Sequence, residues 1–154
     1  MNKINSNPTN AERWKRFVAF ALDNIIFIII VLAFLFLFSE FFVIITMLSG
    51  LFYQIYLVIF HYKYGATLGK MMLNIKIINL EGNNINFKQA FLRSSIPIVI
   101  SLLAMPPIAH LFPNKLYYLL TISWYLLDLF IFFIDKEKRA LHDFIAGTIV
   151  VNKI

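Results

Sequence analysis

The stretch FVAFALDNIIFIIIVLAFLFLF, Phe17 to Phe38, decides the fold. Its one charged residue is Asp23. A helix rises about 1.5 Å per residue, so about 20 apolar residues cross a bilayer. Phe17–Phe38 meets that length, and three further blocks repeat it. Phe41–Tyr62 holds no Asp, Glu, Lys or Arg; Ser94–Phe112 is uncharged apart from His110; Leu116–Ile134 contains only Asp128. Composition agrees with this reading: the chain is 60% hydrophobic and 14% charged, with mean hydropathy +0.77. A soluble domain carries about 45–50% apolar and about 25% charged residues. The expectation is one all-α integral membrane domain, a four-span transmembrane helix bundle with spans at about 17–38, 41–62, 94–112 and 116–134. A polar N-terminal segment (1–16) and a charged C-terminal tail (135–154) flank it.

Charge sets the topology. All of the 14 Lys and Arg residues except Lys115 fall in the N-terminal segment, the 63–93 loop or the tail. A four-span chain puts these three segments on one side, which the positive-inside rule makes cytoplasmic. Both termini are therefore expected in the cytoplasm, with the bacterial inner membrane as the location. The net charge of +6 is accounted for by topology. A nucleic-acid binder would gather its basic residues on one solvated face, so no nucleic-acid partner is expected. Phe17–Phe38 is too long for a signal-peptide core and no small-residue cleavage site follows it, so a retained anchor is expected. The absence of cysteine excludes a disulfide scaffold, a thiolate metal site and a thiol nucleophile.

Local patterns fill in the rest. Pro106 and Pro107 remove two N–H donors from the third block; they either kink it or end the helix near Met105. In the cytoplasmic loop, Gly65–Leu73 reads as a short interfacial helix. Ile75, Ile77 and Ile78, the turn Glu81-Gly82-Asn83-Asn84, and then Ile85 and Phe87 predict a β-hairpin lying on the membrane surface.

Four motifs in this order carry a resemblance. They are Arg16-Phe17-x-Ala19-x-x-x-Asp23; Gly65-x-Thr67-Leu68-Gly69-Lys70; Gly82 followed by Gln89-Ala90-Phe91-Leu92-Arg93; and Leu141-His142-Asp143-x-x-Ala146-Gly147-Thr148-x-Val150-Val151. Over Glu12–Val151 the chain resembles the RDD family of membrane proteins, named for one arginine and two aspartates. The resemblance maps these onto Arg16, Asp23 and Asp143. It implies a membrane domain. It also implies one of two uses described for members, transport that includes cation/proton antiport, or service as a module in membrane assemblies.

The candidate site residues follow from the price of charge in lipid. An ionisable side chain at mid-span costs about 2.5–3.5 kcal/mol on insertion scales. Asp23 is one such residue, about 10.5 Å along the helix from Arg16 on the same face. Asp128, outside the family pattern, is the other, and both lie about 9 Å deep. One reading has Asp23 and Asp128 share a proton or clasp a cation; the other has Asp23 pair structurally with Arg93 or Lys70. Asp143 is expected to pair with Arg16 or Arg93 and fold the tail under the bundle. Gly65, Thr67, Gly69 and Lys70 read either as a phosphate or lipid-headgroup loop or as an interfacial anchor; Met71 after the lysine excludes a Walker loop. His61, His110 and His142 show no metal-ligand spacing, and no catalytic motif, metal site or cofactor is expected. The reading is a non-enzymatic carrier of a small ion or solute, or else a non-transporting scaffold held together by its Arg and Asp residues. The bilayer, further copies of the chain and other membrane proteins are the expected partners.

Overall fold

The apolar run around Asp23 forms α1, Arg13–Leu37, 25 residues long. This is long and apolar enough to cross a membrane. Its outer positions are bare, with Ile29 60% and Phe36 87% exposed. Only Ala19 and Asp23, one helical turn apart, are buried on it. The structure, a computed structural model, describes residues 9–103 and 114–153. Pro106, Pro107 and His110, and with them the kink or end expected in the third block, lie outside the described residues.

A 3₁₀ turn at Ser39–Phe41 leads into α2, Phe42–Tyr64. Ser39–Thr46 and Leu48–Tyr64 are long and apolar enough to cross a membrane only together, and they are bent by 58° against each other. Gly65 ends α2 in the left-handed conformation, φ 66°, which favours glycine, and its N–H closes on His61 O at 2.9 Å. A short helix α3 (Leu68–Met72) and strand β1 (Ile75–Asn79) follow. Helix α4 spans Phe87–Leu103 and α5 spans Asn114–Ile134. The chain closes with α6 (Leu141–Ala146) and β2 (Thr148–Asn152). The chain is thus mostly helical, with one small sheet.

Three expectations need correction. First, β1 does not form a hairpin with Ile85 and Phe87. It pairs antiparallel with β2 from the tail, in the register Ile77↔Val150, and only a single bridge joins Ile78 to Asn84. The reason is burial: Ile75, Ile77 and Val150 are each at most 1% exposed and form one cluster with Ala11, Ile85 and Ala90. The β-branched run Thr148-Ile149-Val150-Val151 supplies a strand with apolar partners on its inner face, whereas Phe87 opens a helix.

Second, that helix begins at Phe87, ahead of the expected span start at Ser94. Asn86 and Gln89 cap it reciprocally, Gln89 N–H to Asn86 Oδ1 at 2.8 Å and Asn86 N–H to Gln89 Oε1 at 3.1 Å.

Third, α3 does not only lie at the surface: Leu68, Met71 and Met72 are exposed as an interfacial helix would have them, but Gly69 is buried. It is pressed on α1, and a Cβ at position 69 would collide with the backbone oxygen of Ala19 and stand 3.1 Å from Asp23 Cγ. Glycine at 69 is what permits the crossing.

Gly69→Ala is expected to lower stability by about 1–3 kcal/mol through overpacking. The control is Gly50→Ala, whose Cβ would sit 3.6 Å from Ser101 Oγ and should change little. Thermal unfolding in detergent, followed by circular dichroism, checks both.

Candidate functional site

Three aspartates organise the region where α1, α4 and α5 meet the short elements. Asp23 faces inward from α1, 3% exposed. Its Oδ1 accepts from Tyr56 Oη at 3.0 Å and from the Gly69 N–H at 2.8 Å, and its Oδ2 accepts from the Thr67 hydroxyl. Tyr56 Oη in turn accepts from the Leu68 N–H at 2.9 Å. The first-turn amides of α3 have no intrahelical partner, and the Asp23 carboxylate and its tyrosine satisfy two of them. A five-residue helix is too short to persist alone, so Asp23 holds α3 in place.

Asp128 does the same for α6. Its Oδ1 accepts from the His142 N–H at 3.0 Å, and the His142 ring Nδ1 lies 2.9 and 3.0 Å from its two oxygens. No hydrogen bond joins Asp23 to Asp128 among the described residues. Nor does Asp23 pair with Arg93 or Lys70; Lys70 Nζ is 3.4 Å from Thr67 Oγ1, one bond removed from it.

Asp143, fully buried, is the third centre. Arg16 from α1 meets its Oδ2 at 2.5 Å and Arg93 from α4 meets its Oδ1. The Ala140 N–H donates to Oδ2 at 3.0 Å, and Arg93 also donates to Thr148 Oγ1. Arg16 is fixed further by a bond to Lys138 O and by the Phe132 ring, 4.8 Å away. Burial by itself would raise the Asp143 carboxyl, but Arg93 and then Arg16 outweigh it and hold the group well below the usual carboxylate range.

Between these centres lies a cavity of about 390 Å³. Arg16, Asp23, Gln54, His61, Lys70, Arg93, Asp128 and His142 contribute to its wall, with Trp124, Tyr125 and Phe132 as its aromatic side. Several buried polar atoms at this wall have no partner among the described residues: Gln54 Oε1, both ring nitrogens of His61, and Arg93 Nε. Leaving a buried polar group unpaired costs about 1–3 kcal/mol. Burial, and after it the neighbouring Arg93, pushes the Lys70 amine down to about 8. No cluster of three metal-ligating side chains occurs among the described residues.

Of the residues singled out in the sequence, Arg16, Asp23, Lys70, Arg93 and Asp128 meet at one cavity. Asp143 lies behind two of them, and Thr67 and Gly69 carry α3 against Asp23. Gly65 instead turns the chain from α2 toward α3. Tyr56, Gln54 and Trp124 were not singled out: nothing local marks a tyrosine or glutamine in an apolar run as inward-facing.

Asp143→Asn removes the charge shared by two buried guanidinium groups. The expected loss is about 3–5 kcal/mol, the usual effect of leaving buried charge uncompensated. Because the Asp143 carboxyl is depressed in the folded state, its stabilisation is present above the unfolded value near 3.9 and is lost as pH falls below it. Melting temperatures measured from pH 7 to pH 3 should fall steeply at the acid end for the parent and less so for Asp143→Asn.

Neither the curated proteins nor the solved structures hold a match for this chain. A family model does match, over residues 10–147. That span holds α1, the Asp23 contacts with α3, the Arg16–Asp143–Arg93 knot and the whole cavity wall. On this match and these residues, the chain belongs to the RDD family.

Proposed function

We propose that the protein is a multi-pass carrier of a small ion or polar solute, with four spans and both termini in the cytoplasm of a bacterial cell. One observation carries this reading: a cavity of about 390 Å³ with Arg16, Asp23, Lys70, Arg93 and Asp128 in an otherwise largely apolar wall sits among helices whose outer faces are apolar and exposed. Polar groups at membrane depth mark solute pathways when they line a cavity rather than face lipid. The exclusion of 13 of the 14 basic residues from the two short breaks supports the topology. Four spans make a small carrier, so a homo-oligomer in the bilayer, with no enzymatic activity, is part of the proposal.

Coupling to protons through Asp23 is the least supported part of a cation/proton exchange. Asp23 already accepts three hydrogen bonds, which tie it to α3. The same saturation favours a second reading, a non-transporting scaffold for other membrane proteins in which the Arg and Asp residues only hold the fold.

Flux in proteoliposomes separates the two. Vesicles containing a pH dye would be challenged in turn with Na⁺, K⁺, Li⁺ and phosphate gradients. The expected result is flux above empty vesicles that Leu57→Trp, which fills the cavity, abolishes in a protein of unchanged melting temperature. Asp23→Asn is expected to weaken the fold by about 1–3 kcal/mol, with flux falling only as folded protein is lost. No flux in any gradient would overturn the carrier reading and leave the scaffold.

A further inference from the structure

We infer that the cavity is a binding site for a small oxyanion of the phosphate or carboxylate kind, with Lys70 as its principal anchor. This rests on the cavity being the solute site proposed above. The argument is an inventory of what each group still offers. The carboxylates already hold donors: Asp23 takes three, Asp143 takes Arg16, Arg93 and the Ala140 N–H, and Asp128 takes the His142 amide and ring. A cation entering the cavity would compete with those donors for the carboxylate oxygens.

The donors are under-used. An ammonium offers three N–H bonds, and among the described residues the one hydrogen bond of Lys70 is a long one of 3.4 Å to Thr67 Oγ1. Among the described residues, Arg93 is committed to Asp143 and Thr148 through Nη1, while its Nε is unpartnered, and His61 has an unpartnered ring N–H whichever nitrogen carries the proton. His61 and Arg93 are 5% and 4% exposed, so solvent at large does not meet these needs. Gln54, whose Oε1 is also unpartnered, can accept from a protonated oxyanion. A volume of about 390 Å³ has room for an inorganic phosphate or a small carboxylate together with hydration water. It also suits the phosphate of a lipid headgroup entering from the side.

Trp124 lines the cavity and is one of two tryptophans in the chain. In a Trp14→Phe background its fluorescence therefore reports on the site alone. The full chain in phosphatidylcholine nanodiscs would be titrated with sodium phosphate, and with sodium chloride at matched ionic strength. A saturable change with phosphate, absent with sodium chloride and weakened at least tenfold by Lys70→Gln, is expected. No saturable phosphate response, or equal affinity in a folded Lys70→Gln protein, overturns the inference.

A second measurement needs no substitution. Acetylation of Lys70 in the intact protein, followed by mass spectrometry at pH 8, should be slowed by phosphate and not by chloride; equal rates overturn the inference. Adding phosphatidylglycerol to the nanodiscs distinguishes the sources. Competition with phosphate assigns the site to a lipid headgroup, and an unchanged affinity assigns it to a free anion. A saturable response to sodium alone would overturn the anion site while leaving the carrier reading intact. Phosphate binding without flux would do the reverse.

Discussion

The structure depends on one buried carboxylate, Asp143, held between two guanidinium groups. Arg16 belongs to the first helix, Arg93 to the helix after the loop, and Asp143 to the tail. Neither arginine can lie buried without a counter-charge, and Asp143 is the one to which both are bonded. The contact thereby closes the chain on itself. It also brings Thr148 under Arg93 and starts β2 where it can pair with β1. The two strands then share their apolar face with Ala11 and Ile85, so the N-terminal segment, the loop and the tail form one layer under the helices.

Asp23 and Asp128 do similar work on a smaller scale. Each stands on a long helix and offers its carboxylate to the first turn of a short one, α3 and α6 respectively. Near a bilayer the free N–H groups of a helix start have little water to turn to, so a side chain must meet them. This gives a charged residue in an apolar helix a structural reason to exist, and it shapes the cavity. With the acids engaged, most of the groups left with capacity are donors, on Lys70, His61 and Arg93, beside the one acceptor Gln54 Oε1. The functional reading and the proposed anion site both follow from that imbalance.

Much of this was legible in the residues. The length of Phe17–Phe38 reads directly as a spanning helix, because apolar length is a local property. Asp23, Arg16, Asp143 and Arg93 are visible as site residues because charge beside or inside apolar runs is rare enough to need a partner. The reciprocal Asn86–Gln89 cap that starts α4 at Phe87 is equally local, but the alternation of Ile85 and Phe87 reads there as a strand and hides it.

What the sequence by itself determined is the membrane character of the chain, the helices that give it, and the list of charges that must be paired, since each is written in composition and spacing along one segment. Only the tertiary structure decided the pairings. Ile75–Asn79 could take either neighbour as its strand partner, and burial against Val150 chose the distant tail over the adjacent turn. Asp23 could meet Arg93, Lys70 or Asp128, and the close crossing at Gly69 gave it the amide of α3 instead. Such choices rest on contacts between residues far apart in the chain, and no local pattern encodes the geometry that ranks them.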